Sequence, residues 1–200
     1  QEEVDNYASQ TGKGIGRIRY KDMNDDQVID EKDRTWLGTP HPDVEYGLNI
    51  VLEYKGFDLT AFFQGIAGNE INNTVKRFTD FWAVDELGSN KGTRVLDAWS
   101  PTNTDSDIPA LSFSDLNNEK RFSSYYIESG SYLKLRNLQL GYTLPASITR
   151  KIKLDKTRFY VSGQNLMTLK SKNFTGLDPE NPNLGYPIST TFTVGLNVGF

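Results

Sequence analysis

The 200 residues contain no cysteine, so disulfides, thiol catalysis and cysteine metal sites are excluded. The single histidine, His41, lies between Pro40 and Pro42 and reads as a turn residue. No Ser-His-Asp set has credible partners, and no two carboxylates stand out as a glycosidase pair. The chain therefore does not read as an enzyme. It has no run of eighteen apolar residues and so no transmembrane helix. Positive charge is not in excess: Lys and Arg number 22, Asp and Glu 26, for a net charge of -4. That balance argues against nucleic acid as a partner. No signal peptide is visible, and Gln1-Glu2-Glu3-Val4-Asp5 does not look like a natural start. A missing amino-terminal part is expected.

What is present favours β structure. Aromatics make up 12% and there are 17 glycines, which suits strands with many turns. A hydrophobic content of 36% and a mean hydropathy of -0.55 do not oppose a membrane barrel, because half of each barrel strand faces water. Ile188 to Phe200 alternates without a break. Ile188, Thr190, Phe192, Val194, Leu196, Val198 and Phe200 share one face, and small polar residues share the other. This is long for a soluble strand and suits a tilted strand crossing a bilayer, which needs about 9–11 residues.

Tyr46 to Tyr54 alternates in the same way, with Leu48, Ile50 and Leu52 between the two tyrosines. Aromatic girdles bracket the apolar band of an outer-membrane barrel in this manner. After a tight turn at Lys55-Gly56, a second strand starts at Phe57, with Phe62 falling on its polar side. Tyr132 to Leu144 predicts a third strand that places Lys134 and Arg136 on the Leu138 side, beyond the hydrocarbon. Arg158 to Leu169 predicts a fourth with blurred alternation, and Ile15 to Tyr20 a short β-like run. Ile71, Val75, Phe78 and Trp82 have helical spacing and predict a short helix. The connections at 55–56 and 145–157 are short, and those at 68–131 and 170–187 are long. Such alternation marks a membrane barrel with short periplasmic turns and long external loops. Five strands cannot close a barrel, since the smallest have about eight, so the chain must belong to a larger one or assemble with others.

One loop carries metal-binding spacing. In Asp22 to Asp33, oxygen side chains stand at positions 1, 3, 5, 9 and 12 (Asp22, Asn24, Asp26, Asp30, Asp33), and Val28 offers a carbonyl at position 7. This is the EF-hand pattern and predicts Ca²⁺. Gln27 stands where the turn prefers glycine, and Asp33 is shorter than the usual glutamate. The ordinary alternative is a polar turn rich in Asp and Asn.

Several stretches resemble a known family in order. They are Arg19-Tyr-Lys-Asp-Met-Asn-Asp-Asp-Gln-Val-Ile-Asp30, Tyr54-Lys-Gly-Phe-Asp-Leu59, Phe62-Phe-Gln-Gly65 and Leu96-Asp-Ala-Trp-Ser-Pro101. Tyr132-Leu-Lys-Leu-Arg-Asn-Leu138, Tyr160-Val-Ser-Gly-Gln-Asn-Leu166 and Gly-Leu-Asn-Val-Gly-Phe200 complete the set. Together they resemble the carboxy-terminal end of a SusC/RagA-type TonB-dependent outer-membrane transporter, over essentially all of residues 1–200. The resemblance implies an all-β fold: antiparallel transmembrane strands from the end of a 22-stranded barrel. Residues 22–43 would hold the calcium loop and lead-in, and 68–131 and 170–187 would be external loops. It also implies an outer-membrane location in contact with lipid, import of a glycan or peptide under a SusD-like surface lipoprotein, and TonB coupling through the missing amino-terminal part. Glu45, Asn49, Glu53, Asn137, Gln139 and Asn197 would line the lumen. Trp82 and Trp99 are candidates for stacking on a substrate, and Phe78 and Phe81 join them as candidate partner contacts. The competing reading is a secreted calcium-stabilised β-domain that binds carbohydrate or a protein partner.

Overall fold

A computed structural model describes residues 1–81, 89–183 and 185–200. The chain forms two compact units. One holds residues 39–71, 128–181 and 185–200. In chain order the strands are β1 (Val44–Tyr54), β2 (Phe57–Ala67), β3 (Glu70–Asn72), β4 (Ile127–Ser129), β5 (Tyr132–Thr143), β6 (Lys156–Lys170) and β7 (Thr191–Gly199). The unit is built on a five-stranded antiparallel sheet in the order β1-β2-β5-β6-β7. The short strands β3 and β4 pair with each other, where the chain passes between units. Lys55 and Gly56 have φ of 47° and 87°. Two successive positive φ values make the tight hairpin turn that suits the strand twist.

The register shows which residues share a face. Leu48 pairs with Phe63, Ile50 with Ala61, Leu52 with Leu59, and Tyr54 with Phe57. Leu59 continues to Leu140, Leu140 to Val161, and Val161 to Val194. One face is thus apolar across all five strands. Two tight cross-strand contacts sit within the sheet. Gly65 lies under the Tyr46 ring and Gly195 under the Tyr160 ring. A Cβ at either glycine would collide with the ring, so glycine is required there for close approach.

Lys134 is not on the Leu138 side as expected. The register slips between Phe62 and Phe63 on β2 and between Leu135 and Asn137 on β5. Arg136 is the extra residue of a bulge. Past it, Leu135 and Leu133 return to the apolar face, and Lys134 and Tyr132 lie on the polar one. On β6 two residues, Asn165 and Leu166, stand opposite Arg136, so that strand keeps its faces. There Asn165 has φ 53°, and Met167 and Leu169 lie on the apolar face opposite Leu135 and Leu133, as Val161 does opposite Leu140.

The other unit holds residues 1–38, 72–127 and 182–184. Its core is Phe81 and the fully buried Tyr126, with Tyr125 and Ile18 packed against them. The rings of Tyr125 and Tyr126 meet edge-on at 5.3 Å. The expected run at Ile15 to Tyr20 is not a strand. Gly16 turns the chain at φ 73°, and side chains take the backbone groups. Gln10 donates to the Ile18 carbonyl at 2.8 Å and accepts from the Tyr20 amide at 3.0 Å, and Asn117 donates to Ile18 at 3.0 Å. Of the expected helix, a single turn spans Lys76–Thr79, Ile71 lies in β3, and Trp82 lies outside the described residues.

Candidate functional site

The apolar face of the sheet is its exposed face. Leu52 is 58% exposed, Phe192 71% and Val194 80%. In a water-soluble sheet these positions would pack on a second layer. At the end carrying the short turns, four aromatics stand in one row: Tyr54 opposite Phe57, Phe57 opposite Tyr142, Tyr142 opposite Phe159. The Phe57 and Tyr142 rings are 4.5 Å apart. An apolar outer surface edged by a row of aromatics is the surface of a transmembrane β-sheet.

The polar face is hydrogen-bonded and partly covered. Glu45, Asn49, Glu53, Asn137, Gln139 and Asn197 all fall on it, as their register partners Ile66, Phe62, Asp58, Thr60 and Arg158 show. Arg158 on β6 pairs with Asp58 on β2, reaching across β5 above Gly141. A side chain at Gly141 would occupy the same space. Near the other end, Lys134 is buried and bonds Asp178 at 2.7 Å and Glu180 at 2.6 Å. Arg136 and the Tyr132 hydroxyl also engage Glu180. Burial raises the Glu180 carboxyl, but the hydrogen bonds from Arg136, Lys134 and Tyr132 outweigh it and hold the pKa at about 2. Sequence reading missed this cluster because the bulge puts Lys134 on the opposite face from the one that unbroken alternation gives.

The Asp22–Asp33 loop has no regular strand within it and is tied to itself. The Gln27 amide donates to Asp22 at 2.8 Å, the Val28 amide to Asp26 at 3.0 Å, and the Asp26 amide to Asn24 at 3.2 Å. Asp33 uses both oxygens, on the amides of Met23 at 2.8 Å and Asp30 at 2.7 Å. Asp30 caps the turn through the Lys32 amide. Hydrogen bonds from Asn24 and the Val28 amide hold the Asp26 carboxyl below its ordinary range. Gln27 takes the glycine-like φ of 65°. One oxygen of Asp22 is buried with no hydrogen-bond partner. Among the described residues, no three His, Asp or Glu side chains are already gathered as a metal-holding group.

Trp99 is half-buried. Its ring covers Gly16, and its amide bonds the Ile108 carbonyl at 2.8 Å. It borders a cavity of about 440 Å³ lined also by Tyr7, Ile15, Arg17 and Ile108. Phe81 is a core residue, 4% exposed, and so is not available as a partner contact. Phe78 is half-buried. The apolar side chains that the same unit does expose include Leu96, Phe113, Leu116 and Phe122.

Comparison with known proteins agrees with the class that the surface defines. No family model matches the chain. TonB-dependent receptor P3 of Formosa agariphila is 40% identical over 200 residues, covering 90% of this chain and 19% of that protein. TonB-dependent receptor SusC of Bacteroides thetaiotaomicron is 30% identical, covering 96% and 18%. A solved structure of the RagAB peptide transporter superposes with a TM-score of 0.72 at 28% identity, covering 87% of this chain and 19% of that one. Over most of its length the chain is therefore homologous to a segment of TonB-dependent receptors of the SusC/RagA type. It spans about a fifth of the length of the relatives it matches. Those relatives are receptors and transporters, not enzymes.

Proposed function

We propose that the chain is the carboxy-terminal wall of a 22-stranded outer-membrane barrel that imports glycans or peptides with TonB energy. The observation that carries this is the inverted sheet, which exposes its apolar face and keeps its charges on the other. That surface is costly in water, which tells against the secreted domain, and it is the ordinary state in lipid. Single variants Val194→Cys and Thr193→Cys, neighbours on opposite faces of β7, test it in the full-length receptor. A water-soluble maleimide is expected to label the Thr193→Cys protein and spare the Val194→Cys protein in intact outer membranes. Equal labelling would overturn the reading.

The long-loop side is proposed to face the cell exterior and to meet a SusD-like lipoprotein. Leu96, at 86% exposure, and Phe113, at 82%, support a contact surface in residues 68–131. Cross-linking from these two positions in cells is expected to capture the lid. Capture only from other loops would refute it. Trp99 remains a proposed substrate contact through its position on the cavity edge, and Trp82 is proposed on sequence alone.

The Asp22–Asp33 loop is proposed to hold one structural Ca²⁺. Asp22, Asn24, Asp26, Asp30, Asp33 and the Val28 carbonyl would supply the oxygens, and the unpartnered Asp22 oxygen suits a hard cation. Calorimetry is expected to show one event with a Kd of about 10⁻⁴–10⁻³ M, abolished by Asp22→Ala and strengthened several-fold by Gln27→Gly, which relieves the left-handed turn. Heat no greater than in the Asp22→Ala protein would exclude the site.

A further inference from the structure

The segment after β6 does not stand away from the sheet. Residues 171–181 fold back over the polar face and are held at three points. Lys170 donates to the Gly176 carbonyl, and its ammonium lies 5.1 Å from the centre of the buried Phe174 ring. Glu128 receives the Thr175 amide at 3.0 Å and its hydroxyl at 2.7 Å. The turn from Asp178 to Asn181 then presents two carboxylates to one ammonium. Lys134 Nζ lies 2.7 Å from both oxygens of Asp178 and 2.6 Å from Glu180. Tyr132 and Arg136 close on the other Glu180 oxygen, and Arg136 is itself oriented by Gln64 at 2.9 Å.

The Lys134 side chain is 3% exposed. A lone ammonium is not tolerated at such burial. With its two carboxylates in place the charge is compensated, and without them it must regain water. Pro179, between the two carboxylates, is buried.

We propose that residues 174–181 are an inward strap, latched to the barrel wall by Lys134 gripping Asp178 and Glu180, that narrows the passage bounded by the polar face. Lys134 is its positioning residue. The proposal rests on the polar face being luminal, which the Thr193→Cys and Val194→Cys pair tests separately.

Labelling in the full-length receptor tests the latch. A Pro179→Cys reporter is expected to react slowly with a water-soluble maleimide in intact outer membranes. Adding Lys134→Gln is expected to raise the rate about tenfold or more, since it removes the one cation that both carboxylates share and leaves Asp178 unpaired. Asp178→Asn with Glu180→Gln is expected to do the same, and combining all three changes should add nothing further. An unchanged rate, or rises that simply multiply, would overturn the latch. Should Lys134→Gln fail to assemble, Glu180→Gln alone gives the same reading through a smaller rise, and no rise there refutes it. Fast labelling of the Thr193→Cys protein, with no response from the Pro179→Cys reporter, separates a failed strap from a failed barrel.

Discussion

The loop-built unit hides Phe81 and Tyr126, as a domain in water does, and bonds several of its interior polar groups. Tyr126 donates to the Glu119 carbonyl at 2.6 Å, and Tyr125 and Arg94 both bond Asp80 at 2.7 Å. Burial drives both tyrosine hydroxyls far above their ordinary pKa, with Asp80 adding to the effect at Tyr125. The sheet unit differs in exposing one whole face of leucines, valines and phenylalanines, while charge is buried in both units, Lys134 and Glu128 here and Asp80 and Glu119 there. One chain of middling hydropathy thus holds two surfaces suited to two solvents. Bulk composition averages them and reports neither.

That contrast is most severely tested by removing an aromatic from each. Phe81→Ala empties a packed core, and a cost of about 3–5 kcal/mol is expected. It should appear as rapid proteolysis or hydrogen exchange across 72–127. Phe192→Ala on the exposed face leaves no such cavity, and exchange there should stay nearly unchanged. Comparable damage from both would mean that the apolar face packs on protein.

A charge on the sheet sharpens the comparison. Val194→Arg is expected to cost about 2–4 kcal/mol if the position lies near mid-bilayer. Thr193→Arg, one residue away on the polar face, should stay close to neutral. Refolding titrations of the full receptor into lipid measure both, and an equal cost would break the distinction between faces.

The smallest effect expected concerns pH. Glu180 has a folded pKa of about 2, below the ordinary 4.5. A depressed carboxylate pKa gives stability that is complete above the unfolded value and lost as pH falls through the folded one. The groups facing Glu180 are Lys134, Arg136, Tyr132 and Asp178. Labelling of the Pro179→Cys reporter, taken at each pH relative to the Thr193→Cys protein because maleimide attacks only the thiolate, should therefore be constant from neutrality to about pH 5 and rise progressively below that towards about pH 2. Release already at about pH 5 would show that Glu180 is not held as the structure has it.

Much of the sheet was legible because a strand repeats every two residues. Val194 and Leu196, Leu48 and Leu52, and the Lys55-Gly56 turn are all local patterns, and the two-faced strands and the alternation of short and long connections follow from them. The family resemblance was equally local, carried by short words in order. What stayed hidden was set by partners distant in the chain. The bulge at Arg136 depends on how β5 meets β2 and β6, and no window of β5 alone reveals it. Once that one residue is inserted, Lys134 changes face. Asp178 and Glu180 then become its partners across more than forty residues of chain. Sequence alone determined that this chain makes two-faced strands. Tertiary structure decided which face carries the buried charge, because a pleat reverses at a bulge and a buried ammonium must be met by whatever carboxylates the fold brings to it.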